Sequence, residues 1–291
     1  MEADLGDNHR SRPTTARTRE LGWELLHARK RAKLKATALA AEWGWSPGKL
    51  SKLEHGWRGT SDWDYGTLLG RLGVDPKTRE RVQRMVNEQD TGHFLRTHDG
   101  LLSDNLRCLM IHERAARTMC KYDPMLIPGL LQTRVYAGAV INPDGGSTPD
   151  EQDFRIEARM DRQSVLAGDH SPEATFFIHE IALRTVITCN QVMHDQMMHL
   201  AFLCKWARVT IRVIPLSSPG HPALVNSFNL MTFAKSVGPV AYCETDVATV
   251  FADEPRSIEV CRRKQAALEA MSLDAEQSRS VLARWADAYD R

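Results

Sequence analysis

Residues 46–55 read Ser-Pro-Gly-Lys-Leu-Ser-Lys-Leu-Glu-His, a helix-forming run whose polar positions carry the most legible chemistry in the chain. Leu50 and Leu53 define an inner stripe. At ~100° per residue the opposite face then presents Gly48, Ser51, Lys52 and His55, with Lys49 on its flank. A lysine ammonium donates to guanine O6 and N7 or neutralises a phosphate. Lys49 and Lys52 are therefore the candidate base-edge or adjacent phosphate contacts, and Gly48 permits close approach. Upstream, Arg29-Lys-Arg-Ala-Lys-Leu-Lys supplies Lys30, Arg31, Lys33 and Lys35 as candidate phosphate contacts, with Thr37 and Arg58 as further backbone donors. Arg10, Arg12 and Arg17 read as a solvated tail in preference to an arm entering a minor groove.

These side chains need two helices crossing steeply at a tight turn. Such a pair requires a small residue at the crossing, a turn residue tolerant of positive φ, and apolar inner positions. From Ala36 the sequence supplies them in order: Leu39, small Ala40, Trp43, turn residue Gly44, Trp45, Leu50 and Leu53. Ser46 suits the cap of the second helix and Pro47 its first turn, where a missing N–H costs nothing. The segment Ala36–His55 thus reads as a helix-turn-helix for double-stranded DNA, with Ser46 and Pro47 at the approach to the groove.

Charge agrees. Residues 10–60 hold 12 Lys/Arg against 4 Asp/Glu, and residues 61–291 hold 26 against 30, within a chain of net charge +1. A basic module attached to a faintly acidic remainder is the expected footprint of a nucleic-acid binder.

The chain of 291 residues predicts two domains. Residues 1–18 read as a mobile tail, 19–88 as an all-α helix-turn-helix bundle, and 89–103 as a linker. Residues 104–291 read as an α+β effector or partner-binding domain with a small sheet. Within it, helices are expected over 104–122, 132–140, 148–166, 191–206, 255–271 and 274–289, and strands near 175–178, 209–214, 228–233 and 240–243. Thr148-Pro-Asp-Glu is a capping signal. No apolar run approaches the ~20 residues of a membrane span, and the acidic N-terminus is not followed by a signal-peptide core. A cytoplasmic protein with reduced thiols is expected. The six cysteines show no C-x-x-C pairing and several read as small core residues, so neither a metal nor any other cofactor is expected.

An enzyme finds little support. His179-Glu-Ile-Ala-Leu begins like a zinc-protease helix, but Leu183 stands where the second histidine belongs. His194 and His199 lie ~140° apart around one helix. A ligand or partner site is better supported, with Gln132, Arg159, Arg162, Gln163, Glu180, Arg184, His221, Tyr242 and Glu244 as candidate lining. Arg155, Arg159 and Arg162 share a helical face; they suit an anion, or pairing with Glu151 and Glu157. Leu130 and Leu131 read as core.

Residues 19 to about 86 resemble the lambda-repressor-like (Xre/Cro-type) DNA-binding domain. Ser46-Pro-Gly-Lys-Leu-Ser-Lys-Leu-Glu-His-Gly is similar to that family's recognition segment. The resemblance implies a five-helix bundle with the motif as its second and third helices, and pairing of Glu54 with Arg29. Ala36 stands where the family often has Gln. The stretch 104–289 is similar to the C-terminal domain of bacterial antitoxin-like transcriptional regulators. It carries that resemblance in Ile127-Pro-Gly-Leu-Leu-Gln-Thr, Arg159-Met-Asp-Arg-Gln, His179-Glu-Ile-Ala-Leu-Arg, Val213-Ile-Pro and Tyr242-Cys-Glu. The resemblances imply a transcriptional regulator whose second domain receives a signal from a small-molecule effector or a small partner protein; a homodimer is expected because a single recognition helix reads only a few base pairs. The alternative they imply is an antitoxin-like interaction module that neutralises a small partner, with DNA binding secondary.

Overall fold

The structure, a computed structural model, describes residues 14–57, 62–88, 91–97, 104–142, 146, 148–234, 237–246 and 248–291. The chain divides into two units, Met1–Gly92 with Lys235–Gly238, and His93–Ala234 with Pro239–Arg291. Among the described residues no helix is long and apolar enough to cross a membrane.

The first unit contains five helices: α1 (Ala16–Arg31), α2 (Ala36–Glu42), α3 (Pro47–Glu54), α4 (Asp62–Arg71) and α5 (Pro76–Asn87). Their boundaries follow from capping chemistry. Thr15, Ser46 and Asp75 accept the backbone N–H of the third residue on, opening α1, α3 and α5, and Pro47 and Pro76 sit at first helical positions. Helices α2, α3 and α4 each end on a glycine with positive φ, Gly44 at +62°, Gly56 at +72° and Gly73 at +65°. In each case the next residue's N–H bonds back across the last turn: Trp45 to Ala40, Trp57 to Lys52 and Val74 to Leu69. This paired closure ends a helix sharply and redirects the chain.

Helix α1 is the hub. Its Leu21, Leu25 and Ala28 join Leu39, Leu50, Leu53, Leu68 and Val82 in one buried cluster, against which Trp43 and Trp45 pack. Glycine permits the contact between α1 and the end of α3. A methyl group at Gly22 would lie 2.6 Å from the Leu53 carbonyl oxygen and 2.8 Å from the Gly56 nitrogen, and one at Gly56 would lie 2.7 Å from the Thr18 carbonyl. Two backbones touch there. Two buried ion pairs brace α1, Arg29 with Glu54 of α3 beside the contact and Glu24 with Arg81 of α5, each with a closest approach of 2.5 Å.

The second unit is built on a seven-stranded mixed sheet in the order β1-β7-β6-β5-β2-β3-β4. The strands are β1 (His93–Thr97), β2 (Thr118–Asp123), β3 (Glu173–His179), β4 (Val209–Ile214), β5 (Phe228–Thr232), β6 (Val240–Glu244) and β7 (Ala248–Ala252). Strands β2, β3 and β4 run parallel, and the remaining pairings are antiparallel. The helices are α6 (Asp104–Ala115), α7 (Arg134–Ile141), α8 (Pro149–Gln163), α9 (Glu180–Arg184), α10 (Asn190–Leu203), α11 (Pro255–Met271) and α12 (Ala275–Tyr289). Cys120, Tyr122, Phe177, Phe228 and Leu230 face Ile258, Cys261 and Leu268 of α11. Across the sheet, Lys121, Asn229, Tyr242, Phe251 and Phe94 form one row on the opposite face.

The α+β class is as expected, but the sheet is larger than the four strands read from sequence. The helix expected to reach residue 122 ends at Ala115, and 118–123 instead forms β2 between β3 and β5. Residues 93–97, read as linker, form edge strand β1 against β7. Helix α1 begins at Ala16, inside the segment read as a mobile tail, and residues 1–13 lie outside the described residues. Residues 143–145 and 147 of the loop expected at 142–147, between α7 and α8, lie outside them too.

Gly22→Ala is expected to lower the stability of the first unit by about 1–3 kcal/mol through overpacking. Scanning calorimetry would register it as a lower Tm for that unit's transition.

Candidate nucleic-acid interface and a polar cavity

Helix α3 turns its apolar side inward, with Leu50 and Leu53 at most 2% exposed. Gly48, Ser51, Lys52 and His55 are exposed on its outer side, as are Ser46 and Pro47 at its start. No atom lies within 4 Å of a methyl built on Gly48, so that side of the helix is open. The Ser46 hydroxyl accepts the Lys49 N–H at 3.1 Å and is committed to capping. His55 is tethered through Nδ1, whose N–H donates to the Ser51 carbonyl at 2.7 Å, and its Nε2 makes no bond within the helix.

Lys49 differs from its neighbours. It is half-buried, and its Nζ lies 3.6 Å from the centroid of the Trp45 ring, an arrangement that holds the ammonium by cation–π attraction. Trp45 packs edge-on to Trp43 at 5.6 Å, so the lysine rests on an anchored platform. Among the described residues Lys52 has no such ring beneath it, and its side chain is exposed.

Glu54 shows why α3 holds its angle. Its carboxylate receives Arg29 Nε at 2.5 Å and Nη2 at 2.8 Å, while Arg29 Nη1 donates to the Leu34 carbonyl at 2.8 Å. One guanidinium thus ties α1, α3 and the α1–α2 turn together. Its pKa is raised by the hydrogen bond to Glu54.

Around the α1–α2 turn, Lys30, Arg31, Lys33, Lys35 and Thr37 are all exposed. Lys33 is the sole described non-glycine residue with positive φ, at 56°, in the position glycine holds at the ends of α2, α3 and α4. Its N–H bonds to Lys30 O while that of Leu34 bonds to Arg29 O. A lysine here costs backbone strain that glycine would avoid. Arg17 is not an arm: it sits in α1 and donates to the carbonyls of Glu88 and Val86. Arg10, Arg12 and Arg58 lie outside the described residues.

In the second unit, the stretch Ile127-Pro-Gly-Leu-Leu-Gln-Thr is a fastened turn. Leu130 and Leu131 are buried as core, and the turn's backbone is held by side chains from other elements. Gln163 donates to the carbonyls of Gly129 and Gln132, Gln196 donates to Leu131 O and accepts from Thr133 N, and Tyr136 OH accepts from Ile127 N. Gln132 spans the turn, its Nε2 donating to Ile127 O at 2.7 Å and its Oε1 accepting from Arg159 at 2.8 Å.

Beside this turn lies a cavity of about 370 Å³, whose lining includes Gln132, Arg159, Arg162 and Glu244. These four of the nine sequence candidates share one site. Gln163 and Tyr242 support it from behind, Tyr242 donating to Glu244 at 2.7 Å. Burial and the adjacent carboxylate of Glu244 push the Tyr242 phenol up, so it stays protonated.

Glu180, Arg184 and His221 do not line the cavity, a correction to the sequence reading. Glu180 accepts the Leu216 N–H, His221 Nδ1 accepts the Ala223 N–H, and Arg184 is exposed, its guanidinium 6.0 Å from the Trp285 ring centroid. Arg162 also differs from expectation. Its partner is neither Glu151 nor Glu157 but Glu113 of α6, in a bidentate pair at 2.7 and 2.9 Å. Burial works against the Arg162 charge, yet Glu113 outweighs it and the pKa rises. Glu151 closes the capping box of α8, and Glu157 pairs with Arg134. The sequence reading missed Glu113, Lys121, Asp123, Ser227 and Asn229.

Comparison with known proteins follows these two units. Residues 20–82 match a model described as a helix-turn-helix domain. Residues 106–284, more than half of the chain, match the domain of unknown function DUF5753, and the chain belongs to that family. Among solved structures it is similar to one titled "Structure of TrmBL2, an archaeal chromatin protein, shows a novel mode of DNA binding", at 12% identity and a TM-score of 0.30. That match covers 71% of this chain and 64% of the other. No curated protein matches. The first unit is thus a helix-turn-helix domain, the DNA-binding class.

Glu113→Ala would strand the buried Arg162 charge. It is expected to destabilise the second unit by about 3–5 kcal/mol, read as a lower midpoint in urea unfolding.

Proposed function

We propose that this protein is a sequence-specific, double-stranded-DNA-binding transcriptional regulator of the lambda-repressor-like (Xre/Cro) type. In this reading α3 enters the major groove, and the second unit receives a ligand or protein signal without catalysing a reaction. The observation that carries the reading is the outer side of α3, where Gly48, Ser51, Lys52 and His55 stand exposed over a buried Leu50–Leu53 stripe.

Lys52 then reaches base edges or adjacent phosphates. Lys49, resting on Trp45, makes its contact from the flank of the helix. Lys30, Arg31, Lys33, Lys35 and Thr37 contact phosphates on the α1–α2 side, adding affinity and salt dependence without sequence choice. An eight-residue recognition helix reads only a few base pairs. A homodimer on an inverted repeat, with half-sites about one helical turn or a multiple apart, supplies the rest.

Lys49→Ala combined with Lys52→Ala should abolish the footprint on the operator while the circular dichroism spectrum stays unchanged. An unaltered footprint would remove α3 from the interface.

Lys33→Gly separates strain from function. It should raise the Tm by relieving roughly 1 kcal/mol of left-handed backbone strain. It should also weaken DNA binding and flatten the slope of log K against log salt by about one per protomer. A stabilised variant with unchanged DNA affinity would show that Lys33 makes no phosphate contact.

A further inference from the structure

The cavity of the second unit has an unusual charge balance. It lies where β2 and β6 end, with Asp123, Ser227 and Glu244 at the ends of adjacent strands. The crevice beyond strand carboxyl ends is a frequent ligand position in mixed α/β sheets. Two of its three cations are matched by an acid of the chain: Arg162 by Glu113, and Lys121 Nζ by Asp123 at 3.3 Å.

Arg159 is not. Its guanidinium donates to the neutral side-chain oxygen of Gln132, and among the described residues no carboxylate lies within ion-pairing distance. Burial first, and Arg162 second, bring its pKa down to about 10 against the weaker opposing pull of the more distant Glu244 and Asp123 carboxylates, so the charge is held at a cost. The group is also fixed in place. Gln132 is oriented by Ile127, its own carbonyl is held by Gln163, and the Arg159 and Arg162 side chains lie 3.8 Å from a methyl built on Gly129. Close by on the same face of the sheet, Asn229 is fully buried between Lys121 and Tyr242, and its side-chain amide has no partner among the described residues.

We propose that this cavity binds a small organic monocarboxylate, its carboxylate held by the Arg159 guanidinium and its apolar body lying against Leu126 and Val140. A planar guanidinium fork matches a carboxylate. Asp123 and Glu244, which line the same space, oppose a second negative charge and so disfavour phosphate. The remaining wall is largely aliphatic, with Leu109, Met125, Leu126, Ile127 and Val140, and the volume sits at the lower end of the range for small-ligand pockets. This inference rests on reading the second unit as the signal-receiving part of a regulator.

The test uses the full wild-type chain. Phenylglyoxal modification of Arg159 is followed by peptide mass spectrometry with hexanoate, benzoate, hexanamide or inorganic phosphate present. One of the two acids should slow modification of Arg159 roughly tenfold at ten times its Kd, from simple occupancy, while hexanamide and phosphate leave the rate unchanged. The same acid should raise the Tm of the wild type and not that of Arg159→Gln. No protection by either acid, or equal protection by hexanamide or phosphate, overturns the assignment whether or not the variant folds. The labelling contains no DNA, so it is independent of the regulatory reading. An acid that protects Arg159 yet leaves DNA affinity unchanged upholds the site and overturns the signal-receiving role.

Discussion

The helix-turn-helix depends on a backbone contact: Gly22 of α1 against the carbonyl end of α3, and Gly56 against the Thr18 carbonyl. No side chain larger than hydrogen fits at either position, so the approach is set by main-chain van der Waals surfaces and does not adapt to nearby substitutions. The Arg29–Glu54 pair sits beside it and adds direction, because a bidentate guanidinium fixes an orientation as well as a distance. Everything exposed on α3 inherits its position from those two features. A buried ion pair is weak evidence of net stability on its own. Here its geometry explains how a helix of eight residues holds one angle.

The second unit applies the same economy to a turn. The Ile127–Thr133 segment has little regular structure, yet Gln163, Gln196 and Tyr136 satisfy its backbone groups from α8, α10 and α7. That fastening positions Gln132, and Gln132 positions Arg159. The cavity and the turn are consequently one construction, with the turn fixing a cation that no carboxylate among the described residues contacts directly.

Local chemistry made much of this legible in advance. Ser46, Pro47 and Gly44 have the backbone roles their types require, and the capping signal Thr148-Pro-Asp-Glu opens α8 as read. The outward face of α3 follows from two leucines and the helical period. Strand β2 was hidden because Ala116 and Met119 continue the apolar spacing of α6 with no glycine or proline between them. Pairing with β3 and β5 decides that segment, and no local pattern reports such pairing. Once 118–123 is taken for helix, Lys121 and Asp123 cannot be assigned a side of the sheet. Glu113 as the partner of Arg162 was equally hidden, since the two lie 49 residues apart. Strands β1 and β7 are short edge-side segments with weak alternation. Lys49 over Trp45 had a signal in the four-residue spacing, obscured because Trp45 precedes the helix cap.

In the proposed function, α3 reads DNA sequence from a symmetric pair of chains. Selection from a random double-stranded library with the full-length wild-type protein, followed by sequencing of the bound fraction, tests it most directly. An enriched inverted repeat is expected, its half-sites centred about one helical turn, or a multiple of it, apart. Retention of DNA with no enriched motif, or of a single unpaired half-site, would contradict it.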